Sequence, residues 1–282
     1  MVIISNLSAL KDVLNSMEHK SIGYVPTMGA LHEGHLSLIQ LARKQSDFVL
    51  VTIYVNPTQF NDRKDFDKYP NTLDADIRIL ESEKVDALYV PTFQDVYPNG
   101  TDRLPYFDIN TLDLILEGKY RPGHFQGVCS VLHWFISLIK PSKLYLGEKD
   151  FQQVKVVVTL LKNYLNELDV DLVVGPTVRD ANGLALSSRN KNLSIQGIER
   201  ASLLYQYVHN QIMHSQFKNE DPRQIELRFN EFLLMNEFDS VDYITIADPN
   251  TLKPISDFNS PARIFIAVFL EGVRLIDNFE LL

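Results

Sequence analysis

The sequence predicts an α/β protein, a doubly wound parallel sheet followed by a smaller α+β unit. Three observations predict it. Over the first two thirds of the chain, short β-branched runs alternate with longer helical patterns, the order of a sheet built from strand–helix–strand crossovers. The clearest run, "DFVLVTIYVN", is apolar on both faces, as an inner strand of a parallel sheet is. Beyond Pro176 the texture changes to a polar, glycine-containing stretch, "RDANGLALSSRNKN", and then to helical segments and apolar strand segments.

The elements follow in order. "SIGYVPTM" reads as a buried strand entering a turn, and residues 31–44 as the helix after it. Then come the "DFVLVTIYVN" strand, a helix over 74–84, the strand "DALYVP", and a buried to amphipathic helix, "GVCSVLHWFISLIK". "KLYLGEKD" gives a strand ending in a charged turn. "FQQVKVVVTLLKNYLN" is a helix whose length and apolar spacing override its valines, and "VDLVVGP" closes the series. Helical segments are expected from about 196 to 235. "SVDYITIADPN" and "ARIFIAVFLEGVRLIDNFEL" then pair as antiparallel strands. A boundary near Thr177 divides the chain into domains of residues 1–176 and 177–282.

Composition narrows the function classes. With 282 residues the chain can bury a substantial core. A net charge of -9 argues against a nucleic-acid binder that works by neutralising phosphates, yet leaves room for a local cluster of cations around a small anion. The single cysteine, Cys129, excludes an internal disulfide and suits a reducing compartment. Lys11 and Asp12 arrive before any long apolar run, and no window reaches the ~20 apolar residues of a membrane span. A cytoplasmic protein without membrane or nucleic-acid partners is expected.

The segment "GALHEGHLSLI" places His32 and His35 one helical turn apart where a predicted strand hands over to a helix. In open α/β sheets, ligands sit outside the carboxyl ends of strands, and helix N-termini attract anions. Gly29 and Gly34 let the backbone approach such a ligand, and two imidazoles there can donate to phosphate oxygens. Two other readings stand beside this one. The pair could share a zinc ion, although no third ligand or H-E-x-x-H spacing accompanies it, or the histidines could be incidental.

Other residue clusters add weight to the nucleotide reading. "LSSRN" offers the hydroxyls of Ser187 and Ser188 and the guanidinium of Arg189, a bidentate phosphate grip. "GEKD" ends a strand with Lys149, placed to meet a phosphate, and Asp150, placed to accept from ribose hydroxyls. Asn56 and Gln59 in "YVNPTQFN", with Gln153 after "GEKD", would line a neutral polar pocket suited to a small hydroxylated carboxylate. Each of these clusters also has an ordinary surface-loop reading. Arg121 and His124 in "YRPGHF" lie in a loop expected near the site, with their roles open.

Taken in order, "PTMGALHEGHLSLI", "VNPTQFN", "YRPGHFQGV", "LGEKDFQQ" and "RDANGLALSSRN" resemble the pantoate–β-alanine ligase family. The resemblance implies a Rossmann-like nucleotide- and pantoate-binding domain over 1–176 and a lid over 177–282, in a homodimer. It implies condensation of pantoate with β-alanine, using ATP, through a pantoyl adenylate, with pyrophosphate and then AMP released. Met28, Gly29, Ala30, Leu31, His32, Glu33, Gly34 and His35 would line the ATP site, with His35 usually credited as proton donor. Gly147, Glu148, Lys149 and Asp150 would hold ribose and phosphate, and Val178 the adenine edge. Leu186, Ser187, Ser188 and Arg189 would close over the phosphates; Leu186 stands where many relatives have methionine. Gln59 and Gln153 would bind pantoate, with Asn56 nearby and Gln59 also close to β-alanine. Relatives require Mg2+, for which Asp74 and Asp76 are the candidate protein contacts.

Rival readings are a nucleotidyltransferase acting on a phosphorylated acceptor, a nucleotide-binding module without catalysis, and a zinc hydrolase. The neutral glutamines argue against the first, which would need extra cations. The module would not require the histidines, Lys149 and the Ser-Ser-Arg loop together.

Overall fold

The computed structural model describes residues 1–17, 19–213 and 217–281. These divide into two compact units. The first comprises Met1–Leu114, Arg121–Glu148 and Gln152–Pro176, and the second Ile115–Tyr120, Lys149–Phe151 and Thr177–Leu282.

In the first unit six strands form one sheet: β1 (Val2–Ile4), β2 (Ile22–Thr27), β3 (Phe48–Ile53), β4 (Ala87–Tyr89), β5 (Lys143–Gly147) and β6 (Asp171–Gly175). Their spatial order is β1-β4-β3-β2-β5-β6, and every pairing is parallel. The chain between strands runs through α1 (Leu7–Ser16), α2 (Glu33–Gln45), α3 (Arg63–Asp67), α4 (Leu73–Ser82), α5 (Phe93–Val96), α6 (Leu116–Tyr120), α7 (His124–Ile139) and α8 (Phe151–Tyr164), of which α6 and the first residue of α8 belong to the second unit.

Strand alternation sorts the core into two layers. Tyr24, Leu50, Ala87 and Tyr89 pack with Leu10 of α1, Phe135 of α7 and Val157 of α8. Their neighbours in the strands, Val25, Val49, Val51 and Leu88, pack on the other face with Leu38 and Ile39 of α2 and Leu80 of α4. The sheet is therefore covered on both sides, and β3 is buried along its whole length, as its unbroken apolar run requires.

The second unit carries α9 (Ile195–Ala201), α10 (Leu203–Tyr207) running into a π turn at Val208–Ile212, and α11 (Pro222–Met235). They precede an antiparallel sheet of β7 (Ser240–Ala247), β8 (Arg263–Leu270) and β9 (Val273–Glu280). Leu204, Phe229 and Leu233 of the helices bury against Ile246, Ile264, Ile266 and Val268 of the sheet. Of the helical stretch expected over 196–235, residues 214–216 lie outside those described.

Three differences from the sequence reading have physical causes. The segment "ARIFIAVFLEGVRLIDNFEL" holds two strands, because Glu271 (φ 52°) and Gly272 (φ 71°) are both left-handed, the backbone of a two-residue hairpin turn. Strand β1 was not expected, since it is three residues long and only Ile4 is buried. Helix α2 starts at Glu33 rather than Leu31, because Ala30 is left-handed (φ 50°) and His32 is extended.

Candidate functional site

The order of strands creates a switch point. From β2 the chain moves outward through β3 and β4, then returns to lay β5 on the opposite edge of β2, with Gly23 beside Lys143. In such sheets the crevice outside the carboxyl ends of the two central strands is the ligand site. β2 ends at Thr27 and leads into Met28–His32, β5 ends at Gly147 beside Glu148, and β3 leads towards Asn56 and Gln59. Three of the segments singled out from sequence thus emerge at one edge of the sheet.

The turn after β2 is held from below. Gly29 (φ 80°) and Ala30 (φ 50°) are consecutive left-handed residues, costly for alanine unless the surroundings compensate. Asp76 of α4, only 2% exposed, supplies that compensation. Its carboxylate accepts from the Ala30 and Leu31 N–H groups, each at 2.9 Å, and from the Thr72 hydroxyl at 3.0 Å. The Gly29 N–H donates to Thr27 Oγ1 at 3.2 Å, and that hydroxyl donates to the Thr52 carbonyl.

Asp76, a candidate Mg2+ contact on sequence grounds, instead spends both oxygens on the protein backbone, while Asp74 is exposed. Asp76→Asn should cost about 1–3 kcal/mol, because an amide nitrogen would then face a buried N–H. A lowered urea midpoint checks this, and an unchanged midpoint contradicts it.

His32 and His35 cap α2 reciprocally. His32 is the N-cap, with its Nδ1 accepting from the Gly34 N–H at 3.1 Å. The Nδ1 of His35, three positions on, accepts from the His32 N–H at 3.3 Å. The rings lie 4.1 Å apart between centroids. A backbone N–H can only donate, so both Nδ1 atoms are unprotonated acceptors, and each neutral ring carries its proton on Nε2. The helix start therefore carries two Nε2–H donors beside its own N-terminal dipole.

The segment after β3 is fixed as tightly. Asn56 is 1% exposed, and its Nδ2 donates to the Gly127 carbonyl (3.0 Å) and to Gln59 Oε1 (3.2 Å). Gln59 Nε2 lies 2.9 Å from Met28 Sδ. Arg121 and His124, whose roles were open, hold the Gln59 backbone. His124 Nδ1 donates to the Gln59 carbonyl at 2.7 Å, and its Nε2 accepts from Arg121 at 3.1 Å. Gln153 is half-buried in the first turn of α8. Its neighbour Gln152 points elsewhere and donates to the Leu112 carbonyl.

The second unit arranges the remaining residues. Lys149 lies in the turn Glu148–Asp150, its ammonium 3.6 Å from the Asp150 carboxylate. The Lys149 carbonyl accepts from Asn278 Nδ2 of β9 at 2.9 Å, and the buried Arg263 donates to Asn278 Oδ1. Next to Asn278, the buried Asp277 takes a bidentate pair from Arg179 at 2.6 and 2.9 Å. Burial pushes the Asp277 carboxyl above its usual range, and the Arg179 bonds and the charge of Lys149 pull it back.

Val178 and Leu186 face each other in a small loop. The Leu186 N–H donates to the Val178 carbonyl at 3.0 Å, and Arg179 bridges Ala185. Ser187 caps the short turn Ser188–Asn192 through the Arg189 N–H, Ser188 is buried, and Asn190 donates to the Ala185 carbonyl. Among the described residues no group of three or more His, Cys, Asp or Glu could hold a metal ion.

Comparison with known proteins decides the family. The model of the Pantoate-beta-alanine ligase family matches residues 2–280. The chain belongs to this family. A pantothenate synthetase of Francisella tularensis subsp. novicida is 42% identical over 285 residues, 99% of this chain and 97% of that protein. Among solved structures, a pantothenate synthetase from Thermus thermophilus is 37% identical with a TM-score of 0.90, covering 100% of this chain and 99% of its own. The Francisella tularensis pantoate-beta-alanine ligase, solved with β-γ ATP and β-alanine, is 38% identical with a TM-score of 0.83, over 99% and 97% of the two chains.

As a pantoate–β-alanine ligase the protein is a pantothenate-forming enzyme, and the α/β fold expected from its strand–helix alternation is the fold it has. Within each unit, several residues that hold the candidate residues in place escaped the sequence reading. Thr27, Tyr97, Arg179, Asp277 and Asn278 act through long-range bonds that no local spacing signals. Only Arg179 had a nearby cue, since it directly follows Val178.

Proposed function

We propose that the chain condenses pantoate with β-alanine, using ATP, through a pantoyl adenylate. The observation that carries this reading is the reciprocal capping of α2, which sets two imidazole Nε2–H donors at a helix N-terminus beside the switch point. In the first step a pantoate carboxylate oxygen attacks the α-phosphorus, the bond to the β-phosphate oxygen breaks, and pyrophosphate leaves. His32 and His35 stabilise the charge that builds on the phosphate oxygens, joined by Lys149, Ser187, Ser188 and Arg189. In the second step the β-alanine amine attacks the acyl carbon, AMP leaves, and the amine loses its proton.

Adenylation is required because a free carboxylate is a poor acyl donor. The backbone of Met28, Gly29, Ala30, Leu31, Glu33 and Gly34 would follow the nucleotide. Gly147, Glu148 and Asp150 would meet the ribose, and Val178 and Leu186 the adenine side. Gln59 and Gln153, with Asn56 behind, would take the hydroxyls and carboxylate of pantoate; neutral amides suit a singly charged acceptor. Residues 1–176 would bind nucleotide and pantoate. Residues 177–282 would act as the lid that keeps water from hydrolysing the adenylate. The enzyme would work in the cytoplasm as a homodimer.

Family chemistry implies Mg2+. Among the described residues none builds a cage for it, with Asp76 bonded to the backbone and Asp74 exposed. The ion would arrive on the phosphates of ATP.

The test is pyrophosphate release from ATP, Mg2+ and pantoate without β-alanine, with the adenylate trapped for mass spectrometry. A pantoyl adenylate that becomes pantothenate and AMP on adding β-alanine is the expected result. Folded protein that releases no pyrophosphate overturns the reading.

A further inference from the structure

We propose that Tyr97 is a positioning residue that fixes which end of the Gln59 amide faces the pantoate pocket. The proposal rests on the reading of Gln59 as a pantoate ligand. An amide side chain can present either a donor or an acceptor, and its two ends are nearly the same size. What selects the end here is a relay of hydrogen bonds that starts from main-chain atoms.

The Gly127 carbonyl can only accept, so the end of Asn56 that meets it at 3.0 Å is Nδ2. The opposite end is therefore Oδ1, consistent with the Thr58 N–H that points at it from 3.4 Å. Asn56 Nδ2 also faces Gln59 at 3.2 Å, and a donor there requires Oε1. Gln59 is left with its NH2 group on the Met28 side. The pocket thus presents a donor, matched to a carboxylate or hydroxyl oxygen of the substrate.

Tyr97 is the rigid end of this relay. It is 4% exposed, caps α5, and donates through its hydroxyl to Asn56 Oδ1 at 2.8 Å, the shortest bond Asn56 makes. The Thr58 hydroxyl bonds to both of them at 3.0 Å. Burial raises the Tyr97 phenol above its ordinary value, so it stays a donor at physiological pH. Gly127 belongs to the same device. A Cβ there would stand 2.3 Å from the Thr58 carbonyl oxygen, so only glycine lets α7 approach closely enough to offer its carbonyl to Asn56. Without the Tyr97 hydroxyl, Asn56 Oδ1 keeps one long backbone bond and the rotatable Thr58 hydroxyl. The Gly127 carbonyl still selects the end of Asn56, but the shortest bond that holds the amide in place is gone, and the donor that orients Gln59 is held less firmly.

The test compares wild type, Tyr97→Phe and Gln59→Leu by KM for pantoate, KM for ATP, kcat and thermal midpoint. Tyr97→Phe should raise the pantoate KM about tenfold and leave the ATP KM within about twofold, a split that general loss of folded protein does not produce. Gln59→Leu should raise the pantoate KM at least as much. An unchanged pantoate KM in Tyr97→Phe, with a raised one in Gln59→Leu, overturns the positioning role and leaves the proposed function standing. An unchanged pantoate KM in both removes Gln59 from the pocket and the positioning role with it. As a second variant, Asn56→Asp places an acceptor opposite Gln59, turns its amide round and should raise the pantoate KM further. A pantoate KM equal to wild type in that variant counts against the relay.

Discussion

His35→Asn should slow pantoate-dependent pyrophosphate release by about 10²–10³-fold, the loss of one preorganised donor, with the fold intact. The choice of asparagine matters because His35 does two jobs. Its Nδ1 accepts the His32 N–H and so helps to cap α2; an asparagine oxygen can take that place. Its Nε2–H faces away from the cap, and asparagine has nothing there. Removing a cap costs about 1 kcal/mol of stability. The Asn variant should therefore keep its thermal midpoint and lose its rate, while His35→Ala should lose some of both. A full rate in His35→Asn would end the assignment of His35 to the phosphate chemistry.

Arg274→Leu should destabilise the second unit by about 3–5 kcal/mol, since it takes one partner out of a buried ion pair. The Arg274 guanidinium grips Glu117 with both terminal nitrogens, at 2.7 and 2.8 Å, and gives its Nε to Asp242 at 2.8 Å. Glu117 is 7% exposed and also accepts from the Tyr243 hydroxyl at 2.7 Å. Burial holds that phenol well above its ordinary pKa, and Glu117 pushes it further, so Tyr243 remains a donor. Removing the guanidinium leaves two carboxylates near one another with their cation gone. Urea unfolding followed by circular dichroism measures the loss, and a cost under about 1 kcal/mol would show that the pair contributes no more than a surface one. Adding Glu117→Gln to Arg274→Leu should recover much of the stability, because the buried charge leaves with its partner.

Much of the fold was legible because parallel strands buried on both faces write unbroken apolar runs. "DFVLVTIYVN" could be little else, and β2 and β5 read the same way. What local pattern could not supply was pairing. β1 has two of its three side chains half exposed, so its place at the sheet edge depends on β4, far along the chain. The β8–β9 hairpin was hidden because its turn residues, Glu271 and Gly272, interrupt the apolar pattern only briefly.

The candidate site divides the same way. Gly29, His32 and Lys149 announce themselves by type and by standing at strand ends. Asp76 looks from sequence like a helix-start carboxylate that is free to meet a cation. Only the folded chain turns it under the Gly29–Leu31 turn. Tyr97 sits in an ordinary-looking "DVYPNG", and its meaning lies in a side chain 41 positions away.

A sheet whose strands all run the same way also dictates a schedule. No pair of its strands can zip together as a hairpin; each must wait until the intervening crossover has been made. β2 can find β3 early, but its other edge stays open until Lys143 and Leu144 arrive. The crevice mouth is thus among the last parts of the sheet to exist during synthesis or refolding. On the proposed site, a nucleotide would have nothing to grip on the half-built chain and would stabilise only molecules that have already closed the β2–β5 seam. It would act as a brake on unfolding rather than as a template for folding.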